Sequence, residues 1–281
     1  MKKKTITNLI IHLILAILVV IWVLPIIWIV LISFREEQGA YTTTFLPTAY
    51  TIDNYVRLFK ERDVFNFPLW FANTFIVSCF SCVIATFYTL AVSYSMSRMR
   101  FKMRKPFMNI ALILGMFPGF MSMIAVYYIL KGVGLTDGYL KLVALVLVYS
   151  GGAGLGFYVA KGFFDTIPKA IDEAAYIDGC TRWQIFTKIT IPLSRPIIVQ
   201  TVLSAFMAPW VDFIFAKVIT GGEPKYYTVA IGLWNMLTKE NITQYYTRFA
   251  AGAVIVSIPI AILFMKMQSC YMESNAGAVK G

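Results

Sequence analysis

The chain has 281 residues, 59% of them hydrophobic and 14% charged, with a mean hydropathy of +0.71. Soluble domains carry about a quarter charged residues and at most about half apolar ones, so a soluble globular fold is excluded and an integral membrane protein is expected. The formal net charge of +11 does not point to nucleic acid, because the basic residues fall between apolar runs rather than on one arm or face.

Crossing the hydrocarbon core as a helix takes about 20 apolar residues, and six stretches qualify: Leu9 to Ser33, Leu69 to Ser95, Phe107 to Leu130, Leu140 to Phe163, Ile197 to Ile219 and Phe249 to Cys270. Lys2, Lys3 and Lys4 precede the first, as in a signal peptide. Its apolar run is too long for one and no cleavage site follows, so a retained helix is expected. The outer segment from Arg35 to Pro68 holds TIDNYVRLFK, which predicts a short amphipathic helix capped at Thr51 or Asp53. Cys79 and Cys82 form a C-x-x-C inside the second span with no second pair. They, Cys180 and Cys270 are read as structural rather than metal-binding. Pro118 and Pro259 are expected to kink their helices, and KGVGLTDGY after Leu130 makes a tight Gly-rich outer turn. Gly151, Gly152, Gly154 and Gly156 allow close helix approach.

Between the fourth and fifth spans the character changes. Pro168 suits the first turn of a helix, where its missing N–H would be orphaned anyway. Ala170, Ala174 and Ile177 share a face at i, i+4 and i+7, Asp172 and Glu173 project elsewhere, and Gly179 stands where a left-handed C-cap is expected. A second helix starts near Thr181, with Trp183, Phe186 and Ile189 on one side and Arg182, Gln184 and Lys188 towards the other. Pro192 and Pro196 are expected to stop it. The product is a short amphipathic hairpin. Its acids Asp172, Glu173 and Asp178 are poor anchors on an anionic leaflet, and small residues beside carboxylates suit a protein groove.

Pro209 and Asp212 mark a break in the fifth span. An ionisable residue at membrane depth is costly, which makes Asp212 a candidate for a solute pathway or a pairing partner. The alternative is a position near the outer interface, where it orders the bundle. The loop from Thr220 to Tyr246 turns at Gly221, Gly222 and Pro224 before a stretch rich in Tyr and Trp. Most of the 25 basic residues fall in the segments that would be cytoplasmic if the N-terminus is inside, so both termini are expected there.

The spacing Glu173-Ala174-Ala175, Gly179, Ile189 and Ile191-Pro192 resembles the EAA loop, E-A-A-x3-G-x9-I-x-L-P, of permease subunits of ATP-binding-cassette importers, with Ile191 where the family most often has Leu. The Pro192 to Pro196 continuation, the W-x-D-F pattern at Trp210 to Phe213 and the end of the chain, Ala276 to Gly281, are similar to its carbohydrate-uptake branch. The tail is most similar to maltose and maltodextrin permeases. Val211 stands where many members have Asn.

The resemblance implies an all-α membrane protein of six transmembrane helices with the type I importer permease fold and cytoplasmic termini, multi-pass in a bacterial cytoplasmic (inner) membrane. Residues 1–68 would form the first helix and outer segment, 69–270 the permease core with the EAA loop at 164–196, and 271–281 a cytoplasmic tail. The chain itself would catalyse nothing and bind no cofactor, ATP and Mg being held by two partner ATPase subunits. Glu173 would contact the ATPase surface, Ala174 and Ala175 would permit close approach, and Gly179 would set the turn. Asp178, Ile189 and Pro192 complete that coupling element, and Trp183 and Phe186 would anchor it to its own bundle. Ala278, Val279, Lys280 and Gly281 would reach between the ATPases. Tyr226, Tyr227 and Trp234 would meet an extracellular sugar-binding protein. The implied partners are a second homologous permease subunit, the two ATPases, the binding protein and membrane lipid, with no nucleic acid.

Other classes fit less well. No G-x-x-x-x-G-K-[ST] is present, so the chain is not itself an ATPase. The single His12 and the lone Asp212 do not supply the convergent groups of a membrane enzyme. An ion-coupled secondary transporter would show paired broken helices and several intramembrane ionisable residues. The solute stays open among maltodextrins, other oligosaccharides, glycerol phosphate and a polyuronide.

Overall fold

The computed structural model describes residues 2–40, 44, 46–117, 119–151 and 156–278, with side chains between 7 and 268. Within lipid a chain must satisfy its own backbone, and helices do so within each segment. The described residues are accordingly helical, and their one extended pairing is an isolated bridge between Arg35 and Tyr50.

The helices are α1 (Lys2–Ser33), α2 (Asp53–Lys60), α3 (Phe67–Arg98), α4 (Arg104–Gly115), α5 (Gly119–Gly132), α6 (Leu140–Gly151), α7 (Gly156–Thr166), α8 (Lys169–Ile177), α9 (Arg182–Ile185), α10 (Ile191–Leu193), α11 (Arg195–Val211), α12 (Ile214–Thr220), α13 (Val229–Met236) and α14 (Ile242–Ala278). Among the described residues, four stretches are long and apolar enough to cross a membrane: Thr7–Ser33, Phe67–Arg98, Leu140–Thr166 and Ile242–Gln268. Six are reached when two bent pairs are each counted as one span. These are α4 with α5, bent by 105°, and Arg182–Leu193 with α11, bent by 82°. The expected fifth span is therefore not one helix: α11 stops at Val211 after 17 residues, and α12 restarts beyond Asp212. Pro118, Gly152 and Gly154 lie outside the described residues, while α14 runs on through Pro259.

The chain forms two compact units, Met1–Pro68 with Gly232–Ile258, and Leu69–Ile231 with Pro259–Gly281. In the first, the amphipathic helix appears as α2, and Thr51 assists its start by accepting the backbone N–H of Asp53 at 3.1 Å. The expected cap at Asp53 itself is displaced, since Ile52 holds the cap position. Asn54 organises this unit. Its amide donates to the carbonyls of Ser33 (3.0 Å) and Arg35 (2.7 Å), and its oxygen accepts from Thr247 at 3.0 Å. Gly39 passes so close to Thr243 that a Cβ would lie 2.5 Å from that carbonyl oxygen.

In the second unit α3 is the central post. Asn73, Val77, Ser81, Ala85, Thr89, Ser93 and Ser97 recur every four residues and are all buried. Small side chains at that spacing give a stripe that winds slowly around α3, along which neighbouring backbones pack closely. Ser93 donates across this face to the carbonyl of Phe157 at 3.0 Å. At one end of α3, Trp70 donates to the carbonyl of Pro224 (2.8 Å), Asn73 to those of Lys225 (3.0 Å) and Tyr227 (3.1 Å), and Thr74 accepts the N–H of Val229 (2.7 Å). At the other end Leu90 and Tyr94 join Ala160, Phe164, Ile167 and Ile197 in a buried cluster, with Phe186 and Ile191 packed against it.

Candidate functional site

The segment from Pro168 to Pro192 folds as a hairpin. Pro168, expected in the first turn, is with φ −57° and ψ 131° the N-cap of α8, just before that turn. At the far end of α8, Gly179 adopts φ +78°. Its N–H bonds to the carbonyl of Tyr176 (3.1 Å) and that of Cys180 to Ala175 (2.9 Å), the paired pattern of a Schellman turn. Thr181 then opens α9 through a capping box with Gln184, each side chain bonded to the other's backbone.

Beyond Ile185 the helix widens into a π turn, Phe186–Thr190, in which the N–H of Ile191 reaches the carbonyl of Phe186. Pro192 has no N–H to give and its ring would clash with the carbonyl four residues back. A wider turn just before it relieves that clash. The expectation that Pro192 and Pro196 stop the helix is thus corrected. Pro192 sits inside α10, the chain turns at Ser194, and Pro196 lies in the first turn of α11.

The two faces of the hairpin differ from the sequence reading in two places. Glu173, Ala174, Asp178 and Gly179 are exposed, as is Pro192, while Ile189 is half-buried. Ala175, however, is buried together with Asp172 against the chain's own helices, so only Ala174 of the two alanines faces outward. Trp183 does not anchor the hairpin to its bundle. It is 66% exposed and lies over Phe186, with centroids 5.7 Å apart. Ile185, fully buried, and Phe186, whose ring is 4.7 Å from that of Tyr94, make the attachment.

What holds α8 is an ion pair that spacing alone did not reveal. Nε of Arg98, the last residue of α3, lies 3.2 Å from Oδ2 of Asp172, and both side chains are nearly buried. The same guanidinium donates through Nη2 to the carbonyl of Ile167 at 2.8 Å. Its neighbour Ser97 donates to Asp165 at 2.6 Å, and Asp165 is also paired with Lys161. A cavity of about 210 Å³ opens beside the pair, lined by Arg100, Arg104, Lys169, Glu173 and Tyr176 among others.

Asp212 lies at the break between α11 and α12, where the backbone is extended. Its carboxylate accepts the hydroxyl of Tyr149 (2.7 Å) and the N–H groups of Phe215 (3.2 Å) and Ala216 (3.1 Å), so it caps the restarting helix. Asp212 and Tyr149 also line a cavity of about 540 Å³ with Gln200, Thr201 and Ser204. The carboxylate both orders the bundle and borders this cavity.

The aromatic loop requires another correction. Tyr226 and Tyr227 are buried, 7% and 5% exposed, and neither offers a free ring to a binding protein. Tyr226 packs on Tyr139 at 5.3 Å, and Tyr227 lies against Trp70 at 6.2 Å and under Lys217 at 4.8 Å. Lys141, itself buried, pins the same loop by donating to the carbonyl of Thr220 at 3.1 Å and pairing with Glu223. A hydrogen bond to Tyr139 raises Lys225 above the ordinary lysine value, helped by the fields of Tyr139 and Tyr226. Trp234, the third of the expected trio, is 55% exposed. Val279, Lys280 and Gly281 lie outside the described residues, and Ala278 is described only as the last residue of α14.

Residues 88–269 match the model of the family described as "Binding-protein-dependent transport system inner membrane component". The galactooligosaccharides transport system permease protein GanQ of Bacillus subtilis (strain 168) is 33% identical over 272 residues, covering 96% of this chain and 94% of that protein. The maltodextrin transport system permease protein MdxG of the same organism is 32% identical over 271 residues, covering 96% and 95%. Among solved structures, a chain of a bacterial ABC transporter involved in the import of the acidic polysaccharide alginate superposes with a TM-score of 0.77 at 22% identity, over 96% of this chain and 98% of that one. That likeness speaks for the fold alone. With the matched region taking in the end of α3, the hairpin and the cavity, the chain belongs to the family of inner-membrane components of binding-protein-dependent transport systems.

Proposed function

We propose that this chain is the membrane-spanning subunit of an ATP-driven importer of neutral oligosaccharides of the maltodextrin kind, and that the hairpin couples hydrolysis in partner ATPase subunits to alternating access. The observation that carries this reading is the two-faced hairpin. Glu173, Ala174 and Asp178 face outward, while Asp172, Ala175 and Ile185 fasten it to the membrane helices. A rigid, exposed element with an acidic and small-residue face suits a groove on another protein, and its internal fastening suits the transfer of motion. Relatives named for galactooligosaccharides and maltodextrin support a sugar as the solute. The hydroxyl and amide groups around the larger cavity suit one rich in hydroxyls.

In this reading the chain performs no chemistry. ATP and Mg belong to two ATPase subunits, a second homologous permease completes the pathway, and both termini are cytoplasmic. The last residues, Ala278 to Gly281, reach between the ATPases, and Trp234 stands at the contact with the extracellular sugar-binding protein. The test is purification from membranes with co-purifying partners, followed by ATPase assays with maltodextrins, galactooligosaccharides and a polyuronide, each with the binding protein. Neutral oligosaccharides are expected to stimulate hydrolysis, and Glu173→Lys to abolish the stimulation. Stimulation that survives Glu173→Lys unchanged ends the coupling assignment, and stimulation by the polyuronide alone ends the neutral-sugar assignment.

A further inference from the structure

We infer that Arg98 is the positioning residue through which movement of the hairpin reaches the membrane helices, an inference that rests on the coupling role proposed above. Three residues in the last turns of α3 hold three successive parts of the segment that precedes and forms the hairpin. Ser97 holds α7 through Asp165, Arg98 holds α8 through Asp172, and Tyr94 holds the second arm through Phe186 and, at 3.5 Å, the carbonyl of Arg182. Of these, Arg98 alone grips both sides of the α7–α8 junction, because its guanidinium bonds the carbonyl of Ile167 while facing the carboxylate of Asp172. Its planar guanidinium holds the Ile167 carbonyl by a hydrogen bond and Asp172 by charge at 3.2 Å, the Nε that faces Asp172 making no hydrogen bond, a fixed geometry that a flexible ammonium does not reproduce.

The surroundings fit a joint that works under displacement. Arg98 and Asp172 are 7% and 13% exposed, so water does little to screen them. The second carboxylate oxygen of Asp172, Oδ1, is buried without a hydrogen-bond partner, and the adjoining cavity is bordered by Arg100, Arg104 and Lys169. As α8 tilts, that oxygen has further cations within the same cavity, so the carboxylate need not be stranded. Asp172 precedes Glu173, and their side chains divide the labour: Glu173 faces the partner, and Asp172 faces the post.

The experiment uses the purified complex with its co-purifying ATPases in proteoliposomes, reading assembly, ATP hydrolysis and sugar taken up per ATP. Arg98→Ala should assemble and hydrolyse ATP as the unaltered complex does, while sugar per ATP falls roughly tenfold. Asp172→Asn, which keeps the shape of the side chain, should lower the same ratio. Arg98→Lys, which keeps the charge but not the fork, should fall between. A wild-type ratio in Asp172→Asn or in an assembled Arg98→Ala complex overturns the proposal, and so does a loss of assembly in Asp172→Asn. Failure of the unaltered complex to hydrolyse ATP in response to sugar and binding protein would instead refute the coupling reading on which the proposal stands.

Discussion

Tyr149 and Asp212 are 63 residues apart in the chain, yet the phenol donates to the carboxylate across 2.7 Å. Together with the N–H groups of Phe215 and Ala216, that bond gives the carboxylate three donors at a helix break. Removing one hydrogen bond to a charged acceptor costs about 1.5–3 kcal/mol. Tyr149→Phe is therefore expected to lower the melting temperature of the detergent-solubilised protein, and Asp212→Ala, which also uncaps α12, to lower it further. Asp212→Asn should fall nearest the wild type. Identical melting of Asp212→Ala and wild type would show that the cap carries no stability.

Gly179 and Gly39 both have positive φ, but for different reasons. At Gly179 a Cβ would meet no atom within 4 Å, so Gly179→Ala bears only the left-handed backbone penalty, about 1–2 kcal/mol. At Gly39 the added carbon would also stand 2.5 Å from the backbone oxygen of Thr243, which cannot rotate away. Gly39→Ala should be clearly the more destabilising in thermal unfolding, and the reverse order would contradict both assignments.

Asn54 satisfies two carbonyls and one hydroxyl with a single buried side chain. Asn54→Leu fills the space but strands those groups, at about 1–3 kcal/mol each. Expression and folded yield should fall sharply. Asp53→Ala, one residue away and exposed, should change stability by no more than about 0.5 kcal/mol. Comparable yields of the two variants would exclude Asn54 as the organiser of its unit.

Lys141 is 5% exposed, whereas its partner Glu223 is 58% exposed at the side chain. The lysine is the member whose removal matters, because it also holds the carbonyl of Thr220. Lys141→Met should free the loop and speed tryptic cleavage after Lys225. Glu223→Gln should leave cleavage nearly unchanged, since a half-exposed charge contributes about 0–1 kcal/mol to such a pair. Equal cleavage in all three proteins would mean that Lys141 does not pin the loop.

The sequence made the apolar helices, the break at Asp212 and the turn at Gly179 legible, because each rests on local chemistry: hydrophobic length, a proline with an acid, a glycine after an amphipathic run. It misassigned Tyr226 and Tyr227, since a tyrosine in an outer loop looks the same whether it faces water or lies under Lys217 and Lys141. Ile185, to which the sequence reading gave no role, takes the place expected of Trp183: two residues apart on α9, they face opposite ways, and an apolar letter alone does not say which of the two is buried. The period-four stripe on α3 was present in the letters from Asn73 to Ser97, and a search for small residues at that spacing would have found it. The pairing of Arg98 with Asp172 joins residues separated by the whole of α4 to α7, and no local signal announces it.

The bonds that tie the start of α3 to the loop around Pro224 have a consequence for the order of assembly. Trp70 waits for a partner 154 residues further along the chain, and Asn73 and Thr74 wait for theirs at similar distances. At ordinary rates of synthesis, roughly 10–30 s separate the emergence of the two ends. During that interval the carbonyls of Pro224, Lys225 and Tyr227, to which the indole and the amide donate in the finished fold, have not yet been made. The loop around Pro224 is thus a late clasp on α3, closed before the still later bond of Thr247 to Asn54, and a nascent chain truncated before Pro224 lacks it.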